Sequence, residues 1–228
     1  MKSSSEIIHE FKLLKLKTPN ESKSRESKIS TPHLKKLFYI EAKRYFRNIN
    51  REFQVDIDNK RFLDIICKYF SNDLEFEKSY NGELRKGLLI TGPHGTGKTS
   101  LLEIMQIVSK IYQIKQIWYS IKPTIEIVGE FNRSEGSTKD NVIRYYSSGK
   151  YLFDDLGAEK DASNYGKENI LIRILELRYN NFKSKNITTH LTTNLTLKEI
   201  QTRYGNRVYD RILEMFNILE LKGNSRRF

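Results

Sequence analysis

Cysteine is nearly absent: Cys67 is the sole one in 228 residues. A lone thiol forms no intramolecular disulfide, and it excludes every zinc site built on two or more cysteines, so neither a disulfide scaffold nor a structural zinc is expected. Cys67 lies in the apolar run 62–70, which predicts burial over reactivity. Long hydrophobic runs are missing too. No stretch approaches the roughly 18 apolar residues of a membrane span, and the first ten residues lack the apolar stretch and cleavage site of a secretory signal. A cytoplasmic protein with no membrane partner is therefore expected. No N-K-x-D run is present to recognise guanine, and no internal repeat suggests a solenoid.

What the chain does have is positive charge, with 40 Lys and Arg against 28 acids and a formal net charge of +12. Such a surplus draws a protein toward polyanions such as nucleic acid, directly or through a partner; a merely soluble basic surface is the alternative. The surplus is unevenly placed, since residues 1–50 hold twelve basic side chains against five acids. At 38% hydrophobic and 30% charged residues the composition is that of a globular chain. Its length suits one domain of about 150 to 200 residues with a smaller appendage.

Residues 18–31 are rich in Ser, Lys and Glu with little that is apolar, and they read as a flexible linker, so 1–31 forms a basic N-terminal segment. Residues 32–80 read as a small helical region for partner binding. Within it Leu34, Leu37, Phe38, Ala42, Tyr45 and Phe46 recur at helical spacing opposite a basic face, and 59–70 repeats the pattern with Phe62, Ile65, Ile66 and Tyr69. From residue 81 onward the pattern changes. Strands are predicted at 88–91, 117–120, 151–153, 187–193 and 218–221, with helices at 98–112, 168–182 and 206–216 and a capping box from Thr196 to Glu199. Such alternation implies an α/β fold, a parallel sheet flanked by helices.

Gly92-Pro93-His94-Gly95-Thr96-Gly97-Lys98-Thr99 matches G-x-x-x-x-G-K-[ST], and it stands between a strand and a helix, where a phosphate-binding loop must stand. Glycines let backbone N–H groups of the loop, and of the helix start through Ser100, converge on phosphate oxygens. Lys98 then faces the β and γ phosphates of ATP, and Thr99 offers a hydroxyl to Mg2+. His94 reads as loop filler. Downstream, the strand Tyr151-Leu152-Phe153 ends in two acids; Asp154 is expected to hold Mg2+ and Asp155 to polarise the attacking water. Asn194, at the end of another strand, is a candidate γ-phosphate sensor. Arg211, with Arg207 as the second choice, is a candidate arginine finger, although a surface salt bridge is the simpler reading of either.

Phe153-Asp154-Asp155-Leu156-Gly157-Ala158-Glu159, Thr192-Thr193-Asn194-Leu195, Tyr204-Gly205-Asn206-Arg207-Val208-Tyr209-Asp210-Arg211-Ile212 and Gly223-Asn224-Ser225-Arg226-Arg227 follow in order. Together they resemble the motifs of the DnaC/IstB branch of AAA+ ATPases, over about residues 85–228. The resemblance implies an AAA+ P-loop NTPase core at 81–228 without a full helical lid. It also implies Asn194 as sensor 1, Arg211 as a finger acting in trans within a homo-oligomer with Arg207 assisting, and Arg227 as a nucleotide-binding sensor 2. Members of the branch load a replicative helicase onto single-stranded DNA or assist a transposase, so either partner is implied. Their DNA-contacting insertion would fall here at residues 131–146, with Arg133, Lys139, Arg144, Tyr145 and Tyr146. A solvated helix and loop is the plainer alternative for that stretch. The cysteine-rich zinc region of some loaders has no counterpart here.

Overall fold

The computed structural model of the chain describes residues 29–159, 162–163 and 167–226. The expectations for residues 1–28 and for Arg227 fall outside them. The description opens with helix α1 (Thr31–Asn48), whose first turn carries Pro32, where a missing N–H costs nothing. Helix α2 (Ile57–Phe70) starts two residues earlier than its apolar spacing predicts, because Asp56 caps it in a box with Asn59. A short helix α3 (Glu75–Tyr80) leads to strand β1 (Gly87–Thr91), followed by helix α4 (Lys98–Ile111).

The strand expected at 117–120 is displaced. A 3-10 turn occupies Lys115–Ile117, and strand β2 runs over Ser120–Pro123. Ile117 and Tyr119 are buried, but they fill the core from the 3-10 turn and the link after it, so apolar alternation there reports packing and not a ladder. β2 is an edge strand, which tolerates Pro123. Helices α5 (Thr124–Arg133) and α6 (Thr138–Ser147) connect it to strand β3 (Tyr151–Leu156). A two-residue ladder unforeseen from sequence, β4 (Ala162–Ser163) with β5 (Lys167–Glu168), displaces the start of helix α7 to Ile170–Lys185. Strand β6 (Thr189–Thr193), helices α8 (Leu197–Tyr204) and α9 (Asn206–Met215), and strand β7 (Phe216–Glu220) complete the order.

Five strands form one parallel sheet in the order β2-β3-β6-β1-β7. Side chains alternate across it: Leu88 and Ile90 join a core with α1, α2 and α4, while Leu89 joins one with α5, α6, α7 and α9. Residues of the N-terminal helices, Leu34, Leu37, Phe38 and Ile66 among them, thus share a core with the sheet. Every β1 and β3 carboxyl end faces the same rim, where the crevice of an open α/β sheet receives ligands.

Candidate active site

Three glycines shape the turn from β1 to α4. Gly92 has φ +144, and a Cβ there would lie 2.3 Å from the Leu221 carbonyl oxygen, so the loop passes the neighbouring chain at a distance only glycine allows. Gly97, φ +99, is the N-cap of α4; no side chain caps that helix, and a Cβ at Gly97 would meet nothing within 4 Å. An uncapped helix start beside open space leaves backbone N–H groups and the positive end of the dipole for an anion. Lys98 is only 5% exposed. Its Nζ donates to the carbonyls of Gly92 (2.8 Å) and Pro93 (2.9 Å) and to Asn194 Oδ1 (2.5 Å). A cavity of about 160 Å³ opens there, lined by His94, Lys98, Thr99, Asp155, Asn194 and Arg226. Beside it a second, of about 420 Å³, is lined by Phe53, Asn59, Gly97, Leu101 and Arg226.

The two acids show how the backbone aims side chains. Successive strand residues point to opposite faces, so a regular β3 would separate Asp154 from Asp155. The β3 to β6 register shifts between Phe153 and Leu156, which pair with Leu191 and Thr193: three steps face two, a β-bulge. Asp155 takes φ +54, a left-handed conformation uncommon for a residue with a side chain. Three bonds to side chains hold it: its N–H donates to Thr192 Oγ1 (2.9 Å), its carbonyl accepts from Thr124 Oγ1 (2.8 Å), and Oδ1 accepts from Asn194 Nδ2 (3.4 Å). Asp154 Oδ1 accepts from Thr99 Oγ1 (2.8 Å) and Thr192 Oγ1 (2.6 Å). Burial pushes the Asp154 carboxyl above its ordinary pKa, opposed by the Thr192 and Thr99 hydrogen bonds.

The structure therefore brings Lys98, Thr99, Asp154, Asp155 and Asn194 to one rim. The hydroxyl of Thr99 and the carboxylate of Asp154 are hard oxygen donors, the kind Mg2+ takes while keeping phosphate and water in its remaining positions. No cluster of three acidic, His or Cys ligands exists among the described residues, and a cation shared with phosphates needs none. Gly95 and Ser100 also line the cavity, and Thr96 is buried behind it, its Oγ1 donating to the Pro93 carbonyl.

Arg211 stands elsewhere. Its Nη1 lies 2.9 Å from Glu176 Oε1 on α7, its guanidinium lies 4.9 Å from the Tyr179 ring centre, and Arg207 reaches the same Glu176 at 3.0 Å. In the isolated chain both arginines thus form the intramolecular ion pairs that residue type alone favours. Residues 131–146 span the end of α5 and most of α6. Tyr146 is buried and donates to Glu130 Oε2 (2.6 Å), which corrects its reading as a ring for base stacking; Tyr145 is 60% exposed.

Three residues were not singled out from sequence. Thr192 orients both aspartates, and only the run Thr192-Thr193-Asn194 hinted at it. Buried Glu159 accepts from Gly157 N (2.8 Å) and from the Tyr204 hydroxyl, tying the loop after β3 to α8. Arg226, beside the expected Arg227, lines both cavities, and its N–H donates to the Gly95 carbonyl (2.8 Å).

Comparison with protein families matches residues 8–228 to the IstB-like ATP binding proteins. The chain belongs to that family. Its fold is that of the AAA+ P-loop ATPases of the DnaC/IstB branch, and as an IstB-like protein it is an ATP-hydrolysing enzyme. Among solved structures, the DnaC helicase loader is 25% identical, with 79% of this chain and 99% of that one covered and a TM-score of 0.53. DnaI is 20% identical over 75% of this chain and 88% of its own, TM-score 0.52. AMPPCP-bound DnaA from Aquifex aeolicus is 18% identical over 77% of this chain and 50% of its own, TM-score 0.52. The latter two likenesses show the fold alone. No curated protein matches the IstB-like chain significantly. No helix among the described residues is long and apolar enough to cross a membrane.

Proposed function

We infer that this IstB-like chain is a Mg2+-dependent ATPase that acts in DNA replication, loading a replicative helicase as a homo-oligomer that also contacts single-stranded DNA. One observation carries the catalytic part: Lys98, Thr99, Asp154, Asp155 and Asn194 are hydrogen-bonded into one cluster beside an uncapped helix start. The loop 92–100 receives the phosphates through its N–H groups. Lys98 exchanges the carbonyls of Gly92 and Pro93 for phosphate oxygens, replacing neutral acceptors with charged ones. Thr99 and Asp154 would hold Mg2+, which when bound offsets charge on the phosphate oxygens. Asp155 orients the attacking water, and Asn194, already bonded to both Lys98 and Asp155, registers whether the γ-phosphate is present.

Arg211 serves as the trans-acting finger once an adjoining subunit draws it from Glu176; Arg207 shares that anchor and assists. The likeness to the DnaC helicase loader over 99% of that chain favours the loader reading, as does the net charge of +12. A second reading, a helper that targets a transposase to DNA, is favoured by the family match itself. Phosphate-release assays test the catalytic part. Lys98→Ala removes turnover, and Arg211→Ala removes turnover while ATP binding persists; full turnover by a monomeric Arg211→Ala chain refutes the finger. Capture on the immobilised full chain separates the partner readings: a helicase hexamer supports the loader and a transposase supports the helper.

A further inference from the structure

The end of the described chain is wedged between the phosphate-binding loop and the N-terminal helices. The Arg226 N–H donates to the Gly95 carbonyl, and a Cβ on Gly95 would lie 2.3 Å from Ser225 Oγ. On the other side Arg226 forms a two-pronged ion pair with Asp56, Nη1 to Oδ2 at 2.6 Å and Nη2 to Oδ1 at 3.0 Å. That same Asp56 Oδ1 accepts the N–H groups of Asp58 (3.0 Å) and Asn59 (3.1 Å) and so caps α2. Nε of Arg226 is buried without a hydrogen-bond partner among the described residues. Arg226 lines the cavity of Lys98 and Thr99, and its guanidinium is occupied by a carboxylate from the N-terminal region.

Planar, two-pronged donors suit phosphate as well as carboxylate. The Nη prongs face Asp56, so the same prongs contact a phosphate only by leaving it. A triphosphate carries more negative charge than one carboxylate, which favours the exchange. We propose that Asp56 and Arg226 form a nucleotide-responsive latch, in which the phosphates of ATP take the Arg226 fork from Asp56 and release the start of α2 from the phosphate-binding loop. The consequence reaches the surface, because Val55 and Ile57, which flank Asp56, are 47% and 92% exposed. Nucleotide state is thereby felt in residues 51–59, the connection between α1 and α2. The latch rests on the ATP-binding reading of the site.

Calorimetric titration of the full chain with ATP, ADP and adenosine tests it. Asp56→Asn keeps a good helix cap while removing the charge that holds Arg226. Expected for Asp56→Asn is ATP and ADP binding tightened by about 3- to 10-fold, with adenosine unchanged. Arg226→Gln weakens ATP and ADP by about 10- to 100-fold and adenosine by no more than about 2-fold. In the double variant the gain from Asp56→Asn disappears, because no fork remains to be freed. The latch is overturned if a folded Arg226→Gln chain binds ATP like the wild type. It is equally overturned if Asp56→Asn weakens ATP as much as Arg226→Gln does, since the ion pair then positions the arginine instead of competing for it. Lys98→Ala distinguishes the two levels of failure: wild-type binding lost in Lys98→Ala but untouched in Arg226→Gln removes the latch alone, whereas no ATP binding by the wild type removes the site.

Discussion

The two ends of the sheet each bury charge or polarity, and they do so in opposite ways. At the amino end Arg178, fully buried, donates to Thr189 Oγ1 (2.6 Å) and to the carbonyls of Tyr146 (2.7 Å) and Gly149 (2.7 Å), and lies 5.2 Å from the Phe153 ring centre. His190 accepts the Leu88 N–H (3.1 Å) amid Tyr69, Phe70 and Tyr119. Burial lowers the Arg178 pKa to about 10 and that of His190 to about 3. At the carboxyl end Lys98 is as deeply placed, but its acceptors belong to a glycine loop, a cavity adjoins it, and no side chain caps the helix behind it. Burial perturbs the pKa of Asp154 at the carboxyl end as it does those of Arg178 and His190 at the amino end, so a shift alone marks no site. What distinguishes a site is that its partners can be exchanged for a ligand's.

That contrast can be broken most forcefully at Asp155. Asp155→Ala is expected to cut turnover by about 10³-fold while leaving ATP affinity within about 3-fold, read by single-turnover phosphate release. Comparable loss of affinity would mean the residue shapes the cavity and not the reaction. Arg178→Met gives the converse result: unfolding in urea should lose about 3 kcal/mol, because several buried carbonyls lose their donor, with ATP affinity per folded molecule unchanged.

His190 sharpens the comparison through pH. Its folded pKa lies below the unfolded one, so its stabilising contribution is present above about 6.5 and is lost as pH falls toward about 3. Between pH 6.5 and 5 the wild type should lose about 2 kcal/mol relative to His190→Asn, which keeps an acceptor for Leu88, and an identical pH slope in the two proteins would contradict the burial of a neutral ring. A smaller change is expected from Glu159→Gln. Removing the charge that gathers Gly157, Tyr204 and Arg203 should lower kcat by about 10-fold with the Michaelis constant for ATP held.

Much of the rim was legible because glycine spacing and the strand-then-acid pattern are local signals. Gly92, Gly97 and Lys98 stand where their spacing put them, and Arg207 and Arg211 share a face of α9 as helical periodicity requires. The co-orientation of Asp154 and Asp155 was not legible, since it depends on a bulge against β6 that strand periodicity does not encode. The Asp56 to Arg226 pair joins residues 170 positions apart, and neither residue type demands the other. Tyr146 misled for a related reason: an aromatic among cations suggests stacking, yet Glu130 one helix earlier claims its hydroxyl.

Titration of the full chain with ATP, in parallel with Lys98→Ala, addresses the centre of the account most directly. Saturable binding that requires Mg2+ for its full strength and falls by about 100-fold or more in a folded Lys98→Ala chain is the result expected from a cradle built on this lysine. Equal affinity in the two proteins would show that the loop between β1 and α4 does not hold the nucleotide.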